Sequence, residues 1–380
     1  RHSLVSSAAP CSLSLMSTRI LASAQAQIRA GEYYEAHQKL RTLANRYIKT
    51  AGPTALASPA NVQKTLDLLS SGAAALLDTN QAAAASSGAD LVGYLLDVYD
   101  RYRLPPADHP ASPDAAADVG TRWRTEYPTY KRTVTDLLVK MPARGPLRGD
   151  LVRRYVAWST KYVQRLWILD HSGQLAGQTV SHLPPHVVAG DPEVHHWAGT
   201  LLGDDGHYVA AEAHLLLGIP ASAGRLGRYL AEWSARATAV DDPGQLAARA
   251  VLQYLALNRP HAAYTALDAF VAALDYSSAG MDDPLTVHRP TSPILDFCQL
   301  LLLAVERRAT NVFTRLRREY PVVWGQSEAT VNQVGGITIR GCESISYYGA
   351  NSRPRTLVAQ TQRDSSGTRL PSLCTQCLTL

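Results

Sequence analysis

The sequence predicts an all-α fold, an irregular α-solenoid of stacked helical hairpins resembling tetratricopeptide units. Three observations lead there. From Ser17 onward, apolar patterns of three- and four-residue spacing follow one another, broken by turns at Gly31, Gly52-Pro53, Gly145-Pro146, Gly218-Ile219-Pro220 and Asn258-Arg259-Pro260. No alternating β-rich run occurs before residue 325. A weak repeat relates Gly31-x-Tyr33-x-x-Ala36 to Gly206-x-Tyr208-x-x-Ala211, and Asn258-Arg259-Pro260 opens a third unit of turn and Ala-rich helix. The full tetratricopeptide signature is missing, so the array is irregular.

The patterns predict helices over 17–29, 32–49, 61–78, 89–102, 114–125, 128–140, 147–163, 193–203, 207–217, 221–238, 243–257, 260–274, 293–308 and 309–320. In the second of these, Gly31 closes the preceding helix and good helix formers run unbroken to Tyr47. Tyr33, Ala36, Leu40, Leu43, Ala44 and Tyr47 share one face, while His37, Arg41 and Arg46 lie off it, toward solvent or a partner. Two low-complexity segments, Ala82–Gly88 and Pro105–Asp118, read as loops. The longest apolar run, Phe297 to Val305, carries Gln299 and is shorter than the roughly 20 residues of a membrane span. It reads as a buried core helix.

Composition narrows the function classes. With 46% apolar and 18% charged residues, the chain has the balance of a folded domain rather than a disordered one. A net charge of +5 over 380 residues is mild, no Lys/Arg run occurs, and only three Phe are present to stack on bases. A nucleic-acid partner is not expected, nor direct membrane insertion. Five scattered cysteines argue for a reducing compartment, and the cytosol is the expected location. Cys374-x-x-Cys377 lacks the second pair of a zinc site, and His195, His196, His207 and His214 lack the Glu-flanked spacing of a metalloprotease helix. There is no nucleophile-elbow pattern, and Gly224-x-x-Gly227 is too little for a phosphate loop. The reading is of a protein that is not an enzyme and has no cofactor or metal. Residues 1–16 are expected to be unstructured; 1–15 resemble a weak targeting peptide but are read in preference as upstream sequence absent from the mature protein.

The segment from Gly31 to Tyr47 resembles the signature of the Golgi to ER traffic protein 4 family. Further blocks follow in that family's order between about Arg19 and Tyr320: Ser71–Leu77, Gly88–Tyr99, Ala157-Trp158-Ser159, Gly190–His196, Ala211–Gly218 and Asp296–Leu302. The resemblance implies a non-enzymatic scaffold in the guided-entry pathway for tail-anchored membrane proteins. Its N-terminal half, residues 17–140 here, would dock the ATPase that carries tail-anchored clients. Its C-terminal half, 141–324, would hold a partner with a ubiquitin-like domain, which in turn recruits a co-chaperone. The competing reading is a generic helical-repeat subunit of another cytosolic complex.

For the first interface, Asp90 and Asp97 lie two helical turns apart and Asp100 is near the same face. The resemblance implies that acids at Asp90 and Asp97 regulate the ATPase while nearby basic residues anchor it. Arg29, Arg46 and Lys49 are the anchoring candidates, and Tyr33, His37 and Arg41 of the signature helix complete the docking set. The plainer alternative is that Asp90 caps its helix and Asp97 is merely solvated. For the second interface, the resemblance implies a projecting hairpin in the irregular stretch 275–293. Tyr276, Met281, Leu285 and Val287, with Ile294 just beyond, would clasp the partner; alternatively the stretch folds back on its own solenoid. Two stretches depart from the family pattern, an insertion at about 163–188 and the segment 325–380. If genuine, these are expected to form a surface loop and a disordered tail; otherwise they are gene-model artefacts.

Overall fold

A computed structural model of the chain describes residues 11–49, 57–105, 113–143, 146–171, 183–236, 244–274 and 292–320. Among the described residues the regular structure is helical, without strands. The helices are α1 (Cys11–Ala30), α2 (Tyr33–Lys49), α3 (Pro59–Leu77), α4 (Ala82–Tyr102), α5 (Pro113–Lys140), α6 (Pro146–Asp170), α7 (Pro185–Ala189), α8 (Pro192–Asp204), α9 (Tyr208–Leu215), α10 (Pro220–Arg236), α11 (Gly244–Ala256), α12 (Pro260–Ala273), α13 (Pro293–Glu306) and α14 (Thr310–Glu319). The chain divides into two compact units, residues 1–197 and 198–380.

In the first unit most helices pack on a neighbour in sequence, α1 on α2, α2 on α3, α3 on α4 and α5 on α6. Added contacts of α2 with α4, α3 with α5 and α4 with α6 stack one hairpin on the next. This is the solenoid logic the repeat implied, in which a hairpin buries its apolar face only against its neighbours. The stripe of Ala36, Leu40, Leu43 and Ala44 is buried in α2, which packs on α3 and α4, where Leu69, Ala73 and Leu76 and Leu91 and Leu95 are buried in turn. Toward α6 the core becomes aromatic: Tyr99, Tyr127, Tyr155, Trp158 and Tyr162 are all buried, and the Tyr127 and Tyr162 rings stack at 4.2 Å. Offset ring pairs of this kind add to the area they bury.

In the second unit α10 and α12 approach closely. A Cβ on Gly227 would sit 2.2 Å from the Ala266 carbonyl oxygen, so only glycine allows the two backbones to come this close. The Gly224-x-x-Gly227 pair is thus a packing device. Phe270, Tyr254, Phe297 and Leu301 fill the core around it and its neighbours α11 and α13.

One capping device recurs at four helix ends. Gly31, Gly206, Asn258 and Arg308 have φ of 83°, 81°, 57° and 52°. The next residue in each case donates its N–H back across the helix end: Glu32 to Gln27, His207 to Leu202, Arg259 to Tyr254 and Ala309 to Ala304, at 2.8–2.9 Å. This is the Schellman closure, which satisfies carbonyls that a helix end leaves open. A buried residue on the following helix comes next in each unit: Ala36, Ala211, Ala263 and Phe313. The repeat read from Gly31 and Gly206 therefore extends to Asn258 and Arg308.

Several predicted boundaries change. α1 begins at Cys11, before Ser17. α4 begins at Ala82, not 89, because Ala84 and Ala85 are buried and Gly88 packs on Leu77 of α3. Ala/Ser-rich sequence favours helix as much as loop when its small residues meet a neighbour. α5 is continuous through Pro128, which removes a hydrogen bond at a cost of about 3 kcal/mol, with buried Tyr127 and Tyr130 holding the helix on both sides. α6 runs to Asp170 with Tyr162 and Leu169 buried, so the start of the expected loop at 163–188 is helix and 185–189 forms α7. The segment 172–182 and the expected tail lie outside the described residues.

Candidate functional site

α4 turns Leu91, Leu95 and Val98 into the core and carries Asp90, Asp97 and Asp100 on its outer side. Asp90 lies well inside the helix, whose N-cap is Gln81, so the reading of Asp90 as a cap is corrected. Each carboxylate meets a cation of the same chain. Asp90 accepts from Arg41 and shares a 2.7 Å hydrogen bond with His37 Nε2. Asp97 accepts from Arg154 at 2.5 Å, and Asp100 accepts from Lys161 at 2.7 Å. Their side chains stay 43%, 67% and 45% exposed, so water and a partner can still reach them.

α2 and α4 are joined along a polar seam one turn at a time. His37, Arg41 and Asn45 follow at four-residue spacing on α2. His37 and Arg41 meet Asp90, Arg41 also lies over the Tyr94 ring at 5.5 Å, and the Tyr94 hydroxyl donates to Asn45 Oδ1 at 2.7 Å. His37 is only 8% exposed, which corrects its expected solvent-facing position: α4 packs over that side of α2. Partial burial alone would raise the Asp90 pKa, but the bonds from Arg41 and His37 outweigh it and hold the carboxyl below the usual range. The same bond from Asp90 raises the Arg41 pKa.

Beside this seam, α4 and the start of α6 frame a groove of about 640 Å³. Its walls include Tyr94, Leu147 and Leu151, and its rim carries Asp90, Asp97, Asp150, Arg41, Arg153 and Arg154. The other expected docking residues are spread out. Arg29 is exposed at the end of α1, Tyr33 is half-buried at the start of α2, and Lys49 is exposed in the last turn of α2. Arg46 lines a separate groove of about 370 Å³ between α1 and α2, with Arg19 and Lys39. Arg154 and Lys161 were absent from the sequence-based set; they reach Asp97 and Asp100 across more than fifty residues, a pairing no local pattern displays.

Of the second expected interface, Tyr276, Met281, Leu285 and Val287 lie outside the described residues. Ile294 is in the first turn of α13 and buried in the core, so it does not belong to an exposed loop.

The family-like block Gly190–His196 has a plain structural role. Gly190 has φ 93°, Asp191 accepts the Glu193 N–H at 2.8 Å as a helix cap, and Lys131 of α5 donates to Asp191 at 2.9 Å and to Glu193 at 2.5 Å. Burial opposes the charge on Lys131, yet these two carboxylates raise its pKa. His195 bonds the Ala189 carbonyl at 2.7 Å, and burial lowers its pKa. Among the described residues no group of His, Cys, Asp and Glu is placed to hold a metal ion, and no helix is long and apolar enough to cross a membrane.

Stacked hairpins of this kind define an irregular α-solenoid. A profile of the family described as "GET4: Golgi to ER traffic protein 4" matches residues 60–336. The chain belongs to the Golgi to ER traffic protein 4 family. It is 29% identical over 322 residues to the Golgi to ER traffic protein 4 of Aspergillus fumigatus, covering 80% of this chain and 79% of that protein. It is 28% identical over 297 residues to that of Schizosaccharomyces pombe (76% and 78% covered), and 24% identical over 302 residues to the human homolog (80% and 73% covered). The crystal structure of C. therm. Get4 superposes with a TM-score of 0.57 at 27% identity, covering 90% of this chain and 93% of that one.

Proposed function

We propose that this chain serves the delivery of tail-anchored membrane proteins to the ER as a non-enzymatic cytosolic scaffold. In this reading it bridges the ATPase that carries the clients and a partner with a ubiquitin-like domain, which brings in a co-chaperone. Membership of the family supports the pathway. The observation that carries the docking assignment is the outward row Asp90, Asp97 and Asp100 on α4 beside an open groove. Such a row suits a basic protein surface, because complementary charge sets orientation and encounter rate. Tyr33, His37 and Arg41 support it from α2, and Arg29, Arg46 and Lys49 offer the anchoring charges. The stretch 275–293 is proposed to hold the second partner.

The bridging claim is tested by mixing the full chain with both purified partners and weighing the complexes by light scattering. A ternary complex that is lost when the chain is omitted supports the scaffold. Two mutually exclusive binary complexes, or none, would leave the generic helical-repeat subunit as the better reading.

A further inference from the structure

The cations that hold the outer acids of α4 do not all come from the seam with α2. Two come from α6, and one of them is seated by more than charge. Arg154 Nη2 donates to Asp97 at 2.5 Å and to the Gly93 carbonyl oxygen at 2.8 Å. Gly93 precedes Asp97 by one helical turn, and its missing side chain makes room for the guanidinium: a Cβ there would lie 2.8 Å from Arg154 Nη1. Two turns further along α6, Lys161 reaches Asp100 at 2.7 Å. Both cations remain about half exposed, at 44% and 53%, so either can swing into water at little cost.

We propose that Arg154, seated over Gly93, and Lys161 are internal competitors that occupy Asp97 and Asp100 until a basic partner surface displaces them. The proposal rests on the reading that the acids of α4 meet the ATPase, and it assigns how that meeting is regulated. Docking then exchanges one set of ion pairs for another of the same kind. The net electrostatic gain is small and its dependence on salt is shallow. Selectivity comes instead from geometry, since only a surface with cations at the spacing of Asp97 and Asp100 releases both. A basic surface without that spacing meets an already neutralised face. The purely structural alternative is that these pairs only fasten α4 to α6, in which case loosening them affects stability and leaves affinity alone.

Gly93→Ala separates the two, because it displaces the arginine without changing any charge. The atom it would strike is the far end of a flexible side chain, and alanine favours helix over glycine, so the fold is expected to persist. The experiment is calorimetric titration of the full chain with its client-carrying ATPase at several salt concentrations. It compares wild type with Gly93→Ala, Arg154→Gln, Asp97→Asn and Arg153→Gln. Arg153 also lines the groove but pairs with Asp150 on its own helix, so it matches Arg154→Gln in charge.

Gly93→Ala is expected to tighten binding by about two- to fivefold, as one surface pair is worth, and to steepen its salt dependence. Arg154→Gln is expected to tighten binding more than Arg153→Gln does. If Asp97→Asn weakens binding while Gly93→Ala and Arg154→Gln bind as wild type, the competition is refuted and the docking reading stands. If Asp97→Asn changes nothing, both are refuted. Should Gly93→Ala fail to fold, the contrast of Arg154→Gln with Arg153→Gln decides the matter.

Discussion

His37 Nε2 lies 2.7 Å from Asp90 Oδ2, and this contact pins α2 to α4 at a carboxylate that also accepts from Arg41. The acid is therefore part of the fold as well as part of the proposed docking face. Replacing it with lysine would set two cations together and leave His37 without its partner. We expect Asp90→Lys to lower unfolding free energy by about 2 kcal/mol, and Asp90→Asn by about 1 kcal/mol or less. Urea unfolding followed by circular dichroism checks the order of the two. Equal stability of the three proteins would contradict it.

Asp90 in the first unit and Glu212 in the second should contribute oppositely to stability in acid. The Asp90 carboxyl is held below its usual range, so its contribution is complete above the unfolded pKa and is lost as pH falls through the folded value. Glu212 behaves in reverse. It is 2% exposed, its Oε1 accepts from Arg249 Nε at 2.9 Å, and Arg249 Nη2 lies 2.9 Å from Oε2 but out of line for a hydrogen bond. Burial raises its pKa and Arg249 only partly offsets this. The folded state therefore binds the Glu212 proton more tightly, and this residue favours folding increasingly as pH falls through its folded value toward its unfolded one. Urea midpoints measured against pH should fall more, or rise less, on mild acidification in Glu212→Gln than in wild type, because burial of His195 acts in the opposite direction in both proteins. Parallel pH profiles of the two proteins would contradict the assignment to Glu212.

Removing the partner of a buried charge is costly. Arg249→Met should destabilise the second unit by roughly 3–5 kcal/mol at neutral pH, because Glu212 is left buried and ionised. The loss should shrink in mild acid, where Glu212 takes up a proton. A pH-independent loss would point to packing rather than charge.

Glycine is needed where α10 crosses α12. Gly227→Ala places a Cβ 2.2 Å from the Ala266 carbonyl oxygen and 2.9 Å from the Phe270 nitrogen, both backbone atoms that cannot move aside singly. A loss of about 1–3 kcal/mol or more is expected, despite the better helix propensity of alanine. Gly224→Ala meets only Thr265 Cγ2 at 3.7 Å and should be neutral or mildly stabilising. Thermal melts of the pair check the contrast.

The sequence made local features legible and long-range ones obscure. The buried stripe of α2 could be read because Ala36, Leu40, Leu43 and Ala44 repeat within one helix. The turns at Gly31 and Gly206 could be read because glycine marks a left-handed helix end, whereas Arg308 adopts the same conformation without any such mark. His37 sits one residue from the stripe, and only the arrival of α4 decides that it is buried. Asp97 and Asp100 were visible as a spaced pair of acids, but their cations belong to α6 and were missed. The start of α4 is obscure in the sequence because Ser86, Ser87 and Gly88 look like a loop and hide the helix propensity of the alanines before them, and Gly88 against Leu77 settles it as helix.

The most direct measurement is the affinity of the full chain for the client-carrying ATPase that the proposed function assigns to it, wild type against Asp97→Asn/Asp100→Asn, with both proteins shown by circular dichroism to be folded. These substitutions keep side-chain size, remove two of the three acids that α4 turns outward, and free Arg154 and Lys161. Several-fold weaker binding by the double variant is expected, with a loss of the remaining salt dependence. Identical affinity at low and high salt for the two proteins would contradict it, and the docking surface would have to be sought elsewhere on the solenoid.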